Sequence, residues 1–500
     1  MSIEIEIKLE AQPQQIDLIK QWVTDNYAGQ SRWHNKQLIN TYYDTENRKL
    51  RELEIGLRVR RDGDHYIQSV KSAGRVVGGL FQRNESETAI QNANLDLTLV
   101  SDPYLMILLE EAQEDDGPVR PLFRTDFVRE LCEISVEGTL IEVALDMGTI
   151  AHKENNLSIC EVELELKEGS PQYLFDIGQQ LIETFNLVLD SKSKAERGYK
   201  LSSRGKYTPH LKSLDVVQLT AKSAAEGSFE TIAHTGLEHW QYYIKQIKNE
   251  LTIDSVLQLH RALQFMQHMY AVFAPLIPRH ALSSLRKDWR EITKNLSKLL
   301  HVASEINWLN NGKMYGFNYS ELQPFEEGLH QAFNTEGKRF VEYLQTSSYN
   351  LKLLNFSRWL YLKEWRVSLK DSAEQKLKKE IFPFAIRQLQ HQMTDLQRHL
   401  GQKEFLDEKS YLLLLPKMYR TLDIGLFFGS LFDSRKRRAF RQNWVDLVAN
   451  IELFQQLDYI RNLLKTANKS DKRLETTEQD ILTALTDIRT LAFTQNPYWN

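Results

Sequence analysis

The chain is expected to be an α+β protein: an N-terminal eight-stranded antiparallel β-barrel with peripheral helices, followed by an all-α helical bundle. Three observations carry this expectation. From residue 1 to about residue 200, short runs alternate apolar and polar side chains between turn signals, the period-two pattern of half-buried strands. After a polar passage at 203–214 the apolar spacing switches to three and four residues and stays there, the period of helices. Nearly every strand of the first part is also charged on one face and apolar on the other, with both signs recurring. That suits a closed sheet with a hydrated, charged interior and an apolar exterior packed under helices.

Taken in order, the strand-like runs are 2–10, 39–44, 54–61, 65–72, 78–90, 126–137, 139–147 and 158–167. Their short connections make them mostly antiparallel. Helices are expected near 13–27, where Pro13 occupies the first turn, near 98–112, and near 170–187, where Ser170 and Pro171 precede the helical run. Beyond residue 214, Val256, Leu259, Leu263, Met266, Tyr270 and Phe273 form one helical stripe, and Leu353, Phe356, Leu360 and Trp365 contribute to another. Pro275, Pro278, Pro383 and Pro416 punctuate several long helices. The expected organisation is a barrel at 1–202, a linker at 203–218 and a helical domain at 219–497.

Five hundred residues with a formal net charge of −4 give no global drive toward nucleic acid or an anionic membrane, so any polyanion must be met by a local concentration of Lys and Arg. Cys132 and Cys160 are the only cysteines, both in apolar strand-like runs, and no secretory signal reads before residue 3. No run approaches the ~20 apolar residues of a membrane helix. The sequence reads as soluble and cytoplasmic. It contains no GxGxxG, no GxxxxGK[ST], no HExxH and no Cys/His metal spacing.

The chemistry lies in the charged strand faces. Glu4, Glu6 and Lys8 share one face of MSIEIEIKLE, opposite Ile3, Ile5, Ile7 and Leu9. Arg58 and Arg60 share a face, as do Arg83, Glu85 and Glu87, then Glu142 and Asp146, and then Glu161, Glu163 and Glu165; Lys71 and Arg129 close or interrupt further strands. For a single strand, a solvated face is the simpler reading; for the set, a charged interior is. Acids and bases enclosed together must balance one another or be filled by ligand. A divalent cation with a polyanion does both, because carboxylates hold hard cations while Arg and Lys hold phosphates.

These residues resemble a triphosphate tunnel metalloenzyme of the CYTH superfamily, named for class IV adenylyl cyclase and thiamine triphosphatase. The segments EIEIK at 4–8, TYYDT at 41–45, GLRVR at 56–60, SVKSAGRVVGGLFQR at 69–83, PLFRTDFVRE at 121–130, ALDMG at 144–148, ICEVELELKEG at 159–169 and SKAERGY at 193–199 follow in family order. SAGRVVGGLFQR and PLFRTDFVRE are similar to the branch of bacterial inorganic triphosphatases. The resemblance implies that Glu4, Glu6, Glu161 and Glu163 hold one or two divalent metals, Mg²⁺ or Mn²⁺. Lys8, Arg58, Arg60, Lys71, Arg83, Arg129 and Lys194 would bind the triphosphate, with Glu85 and Asp146 as further tunnel acids and Glu87, Glu142 and Glu165 at or near the mouth. Glu161 or Glu163 would orient or deprotonate the attacking water, and Lys8 would serve both binding and turnover.

The implied reaction is hydrolysis of inorganic triphosphate to pyrophosphate and phosphate. Hydrolysis of thiamine triphosphate or ATP, class IV adenylyl cyclase chemistry, and a polyphosphate-binding scaffold are the alternatives; Trp22, Trp33, Tyr42, Tyr43 and Tyr66 are the aromatics available to an organic group.

Residues 219–497 resemble a CHAD domain, a helical domain that follows this barrel in other proteins and is associated with polyphosphate. Against its V-H-x-x-R-V-x-x-R-R-x-R helix, 256–267 puts Leu257 at the histidine, His260 at the first arginine, and Gln264, Phe265 and Gln267 at later basic positions. A second counterpart at 414–432 keeps Lys417 and Arg420 but has Leu422 and Leu426. Much of the basic stripe is absent, so the domain has either kept its bundle and lost its polyanion site or binds polyphosphate through other residues such as Arg435, Lys436, Arg437, Arg438 and Arg441. His260 and His268 read as packing or surface histidines.

Overall fold

A computed structural model describes residues 2–28, 32–77, 80–100, 102–203, 211–400 and 406–499, with the Arg83 side chain outside the described part. By packing, the chain divides into two compact units, Met1–Pro209 with Leu344–Lys363 and His210–Tyr343 with Glu364–Asn500.

The first unit runs β1 (Ser2–Glu10), α1 (Ile16–Val23), β2 (His34–Asp44), α2 (Lys49–Glu52), β3 (Gly56–Asp62), β4 (His65–Val77), β5 (Leu80–Ile90), α3 (Pro103–Asp116), β6 (Arg120–Val136), β7 (Thr139–His152), β8 (Asn155–Glu168), α4 (Gln172–Phe185), β9 (Val188–Leu189) and α5 (Lys194–Leu201). The sheet order is β5-β4-β3-β2-β6-β7-β8-β1-β9, and β1 pairs again with β5, which closes eight antiparallel strands into a ring. One edge of β1 is therefore shared: residues 2–7 face β5, and Leu9 and Glu10 face the short β9.

Alternation does what the sequence pattern requires. Ile7 and Leu9 are fully buried on the outer face of β1, where α4 packs, while Glu6 and Lys8 point into the ring. On the opposite side α3 covers β3 and β4 through Leu105, Leu109 and Ala112 against Leu57, Val59 and Val70. Its start is fixed by Asp102, whose carboxylate accepts the Tyr104 and Leu105 N–H groups at 2.8 and 3.2 Å, with Pro103 following. α4 ends at Asn186 in the left-handed region, φ 54°. Where β6 and β7 come closest, a Cβ on Gly148 would lie 2.2 Å from the Asp126 carbonyl oxygen, so only glycine fits.

The strands are longer than their apolar runs. β2 begins at His34 rather than 39 because residues 34–37 are exposed and polar and show no alternation. The start of the 78–90 run lies partly outside the described residues. α2, β9 and α5 have no sequence counterpart, being two to eight residues long, with α2 and α5 mostly polar and β9 only Val188–Leu189.

The helical part comprises α6 (Ala225–Asn249), α7 (Ile253–Phe273), α8 (Ser283–Met314), α9 (Gln323–Leu344), α10 (Ser347–Tyr361), α11 (Asp371–Leu377), α12 (Ile381–Leu400), α13 (Glu408–Phe427), α14 (Ser434–Thr466) and α15 (Lys472–Thr494). All but α10 and the last residue of α9 belong to the second unit; α10 packs in the first, against α4 and β9. The second unit has its own aromatic core, in which Phe229 meets Phe273 and Trp365 at 5.2 Å centroid separation. A capping box between Thr252 and Ser255 starts α7, and Pro416 is accommodated inside α13.

Candidate functional site

The charged strand faces enclose one cavity of about 660 Å³. Glu4, Glu6, Lys8, Arg58, Arg60, Lys71, Glu85, Arg129, Glu163 and Lys194 all line it, with Glu87, Glu142 and Glu165. Asp146 and Glu161 do not. Both are 0% exposed and lie beneath the lining, covered by the cations that do reach the cavity.

Cross-strand register creates this layering. Lys8 on β1 stands opposite Glu163 on β8, while Arg129 on β6 stands opposite Asp146 on β7, and Asp146 opposite Glu161 on β8. The Lys8 ammonium reaches Glu163, Glu161 at 3.3 Å and Glu6 at 3.7 Å. Arg129 donates two bonds to Asp146, at 2.7 and 2.6 Å, and a third to Glu163. Lys194, at the start of α5, reaches Asp146 at 2.5 Å, Glu163 at 3.0 Å and Glu161.

Higher in the cavity, Lys71 bridges Glu4 at 2.6 Å and Glu85 at 3.1 Å. Arg58 reaches Glu85 at 3.3 Å and Glu87 at 3.7 Å. Lys167 pairs with Glu165 at 2.8 Å.

The charges set one another's titration. Burial alone would raise Glu163 and Asp146, but Lys194, Lys8 and Arg129 hold Glu163 well below the usual carboxylate range, and Arg129 and Lys194 lower Asp146. Burial would likewise depress Lys8; Glu161, Glu163 and Glu6 reverse this and keep it charged. Glu6 goes the other way. Burial pushes its carboxyl up to about 7, Lys8 opposing and Glu163 and Glu4 adding to the shift.

Arg60 is the exception among the cations. Its Nε donates to Asn40 Oδ1 at 2.9 Å, Asn40 in turn donating to Thr125, and it makes no ion pair among the described residues. Burial, with Arg58 and Arg129 nearby, lowers its guanidinium to about 10. The buried Arg58 Nε has no partner among the described residues either. Arg60 therefore presents unmet donors in a place that favours an anion, whereas the Arg58 Nε is sealed from solvent.

The sequence reading missed Arg197, one turn after Lys194 on α5. Its guanidinium holds Glu161, and Glu161 in turn lowers the cost of burying it. The signal was present: Ser193 caps the helix, accepting the Glu196 N–H at 3.1 Å, and positions 194 and 197 then share one face.

Asp146, Glu161 and Glu163 each bring a carboxylate oxygen within 4.8 Å of the other two. As hard oxygen donors they, Glu4 and Glu6 fit a cation such as Mg²⁺ or Mn²⁺ in kind. Glu4, Glu6 and Glu163 do so from the cavity surface, whereas Glu161 is already held by Lys8, Lys194 and Arg197.

In the second unit the polar centre is a buried ion cluster. Arg261 on α7 grips both Asp423 carboxylate oxygens, one at 2.9 Å, and His268 Nδ1 lies 2.6 Å from Asp423 Oδ2. Asp423 is 0% exposed and held below its ordinary range, its burial outweighed by bonds from His268 and Arg261. His268 is thus a packing histidine with a charged partner, and burial lowers His260 to about 4. Lys417 pairs with Asp395 at 3.0 Å, Arg441 donates to the Leu422 carbonyl at 2.7 Å, and Arg435, Lys436 and Arg438 are exposed. Among the described residues, no helix is long and apolar enough to cross a membrane.

The comparisons with known proteins divide the chain in the same sense. A family model described as the CYTH domain matches residues 2–199, and one described as the CHAD domain matches residues 231–465. A curated protein of Haemophilus influenzae named inorganic triphosphatase is 33% identical over 201 residues, which are 40% of this chain and 55% of that protein. The match therefore spans about half the length of that relative.

Two solved structures are similar at low identity. A Hippeastrum protein, named as a candidate adenylyl cyclase with a dominant triphosphatase activity, aligns with 39% of this chain and 95% of its own, at 18% identity and a TM-score of 0.30. A CHAD domain from Ricinus communis aligns with 57% of this chain and 96% of its own, at 14% identity and a TM-score of 0.45. The chain thus matches the CYTH domain over residues 2–199 and the CHAD domain over residues 231–465.

Proposed function

We propose that the first unit hydrolyses inorganic triphosphate to pyrophosphate and phosphate with the help of a divalent metal. The observation that carries this reading is the interleaving of cations and carboxylates in one cavity, with Arg60 keeping unmet donors there. The name of the Haemophilus influenzae relative supports the same chemistry.

In this reading Arg58, Arg60, Lys71, Arg83, Arg129 and Lys194 bind the phosphate oxygens, and Glu4, Glu6 and Glu163 would hold Mg²⁺ or Mn²⁺ from the cavity surface, Glu161 joining them only where Lys8, Lys194 and Arg197 release it. A bound cation of this kind neutralises phosphoryl charge and acidifies a coordinated water. Phosphate oxygens compete with Glu163 for Lys8, Arg129 and Lys194, the three cations that now hold it. Glu163 so released accepts a proton from water as the water oxygen bonds to the terminal phosphorus, and the bridging P–O bond breaks toward pyrophosphate. Charge on the leaving group is met by the arginines, which are in place before the reaction.

The test is phosphate release from triphosphate by the full chain with Mg²⁺, with Mn²⁺ and with EDTA, beside Glu6→Gln. Metal-dependent release, lost in that variant while the fold survives, is expected. Preference for ATP or thiamine triphosphate, or cyclic AMP formation, would move the substrate. Absence of release with tight polyphosphate binding retained would make the barrel a polyanion receptor.

A further inference from the structure

We propose that α10, drawn from the middle of the helical sequence, is a working part of the barrel unit, and that Asn350 on it is a positioning residue for the α5 end of the cavity. The catalytic readout of this inference rests on the triphosphatase reading above.

Among the polar ties that hold α10 in the first unit are three of unequal burial. The Ser347 N–H donates to Asn186 Oδ1 at 2.9 Å, and Arg358 donates to Asp176 at 2.6 Å; both ties are partly open to solvent, where such bonds contribute little. Asn350 differs. It is 1% exposed, its Oδ1 accepts the Leu189 N–H at 3.0 Å, and its Nδ2 donates to the Thr346 carbonyl at 2.8 Å.

What Asn350 holds is β9, only two residues long. One edge of this strand is bonded to β1, where the Asp190 N–H donates to the carbonyl of Lys8 at 2.9 Å. Its other edge has the Asn350 oxygen. A two-residue strand has too few ladder bonds to fix its own register, so the side-chain bond from α10 completes its hydrogen bonding in a buried place. The chain then passes in four residues to Ser193, the cap of α5, and to Lys194 and Arg197, which neutralise Glu161 and Asp146. Asn350 is therefore bonded through β9 to the backbone of Lys8 on one side and continuous with α5 on the other. Release of β9 removes the bond to the Lys8 carbonyl and frees the approach to α5, while β1 itself stays paired with β8.

The experiment compares Asn350→Ala with Leu354→Ala in the full chain. Leu354 is equally buried on α10 and packs near Gly178, and its side chain, being apolar, gives β9 no hydrogen bond. Both variants are expected to melt earlier. Only Asn350→Ala is expected to raise KM for triphosphate and lower kcat, by roughly ten- to a hundredfold in kcat/KM, and only it should speed deuterium exchange at the Leu189 and Asp190 amides. Asn350→Ser serves the same comparison if the alanine variant does not fold. Equal kinetic constants in the two variants, or equal exchange at 189–190, overturns the proposal. Should the wild-type chain release no phosphate, that overturns the triphosphatase reading instead, and the exchange comparison still decides the role of Asn350.

Discussion

Arg60 and Arg129 face the same cavity from strands two apart in the ring, and their surroundings ask opposite things of them. Arg129 neutralises Asp146 and Glu163, so Arg129→Gln leaves buried carboxylates uncompensated and should cost about 3–5 kcal/mol in urea unfolding. Arg60 makes no ion pair among the described residues, attracts Glu87 only from a distance, and lies close to two other guanidinium groups. Arg60→Gln should therefore leave the unfolding midpoint nearly unchanged while raising KM for triphosphate at least roughly tenfold, the loss of one charge-assisted contact. Equal destabilisation by the two substitutions would show that Arg60 has a structural counter-charge.

Glu6 gives a pH signature. Its carboxyl is raised from an ordinary 4.5 to about 7, so the folded metal-free protein holds a proton there that the unfolded chain has released. The stability this contributes is fully present below 4.5 and is lost as pH rises to about 7. In metal-free melts across that window Glu6→Gln should flatten this loss, and an unaltered slope would reject the assignment. Much of the residue-scale picture was legible in the sequence, because a period of two assigns each charge to a face. Depth was not: Glu161 and Glu163 share a face, yet only Glu163 reaches the cavity, because the difference arises from Arg197 and Lys194 arriving on a separate helix.

That helix, α5, illustrates what is hidden at the scale of elements. It is eight residues long, and four of them, Lys194, Glu196, Arg197 and Lys200, are charged, so it has no apolar stripe by which to be recognised. It docks instead through an absence. A Cβ on Gly198 would lie 2.1 Å from the Phe123 ring, which is stacked on Tyr42 at 4.6 Å and met edge-on by Tyr199 at 5.3 Å.

With the ring confined on both sides, Gly198→Ala must lift α5 and carry Lys194 and Arg197 with it. A loss of about 1–3 kcal/mol from overpacking is expected, together with a raised KM for triphosphate; a thermal melt and a substrate titration at fixed metal check both. α3 and α4, in contrast, were readable because each is fourteen residues long; the Ser170–Pro171 pair marks the start of α4, while α3 starts at Pro103 rather than near 98. Strand ends were less so. The first residues of β2 are polar on both faces and are paired by register with β6, not by their own alternation.

Across the whole molecule, the switch from period two to period three and four separates barrel from helices correctly in kind, but not every helix follows its neighbours in sequence. Leu353, Phe356 and Leu360 on α10 carry the same spacing as the rest of the helical part, and nothing in that spacing reveals that α10 packs with the barrel unit. Only the complementary face on α4 and β9 decides it.

A fragment ending at residue 209 should consequently melt at a lower temperature than the barrel unit does within the full chain, with residues 344–363 supplied on a flexible tether restoring part of the difference. Identical melting would mean that α10 adds nothing to the fold. The arrangement also has a consequence for biosynthesis. Every strand of the ring has been made by residue 189, but α10 is complete only at residue 361. At roughly 5–20 residues per second the nascent barrel waits on the order of ten to thirty seconds for its last helix, so its β9 edge and α4 face are open to chaperones, or to another nascent chain, before they are closed.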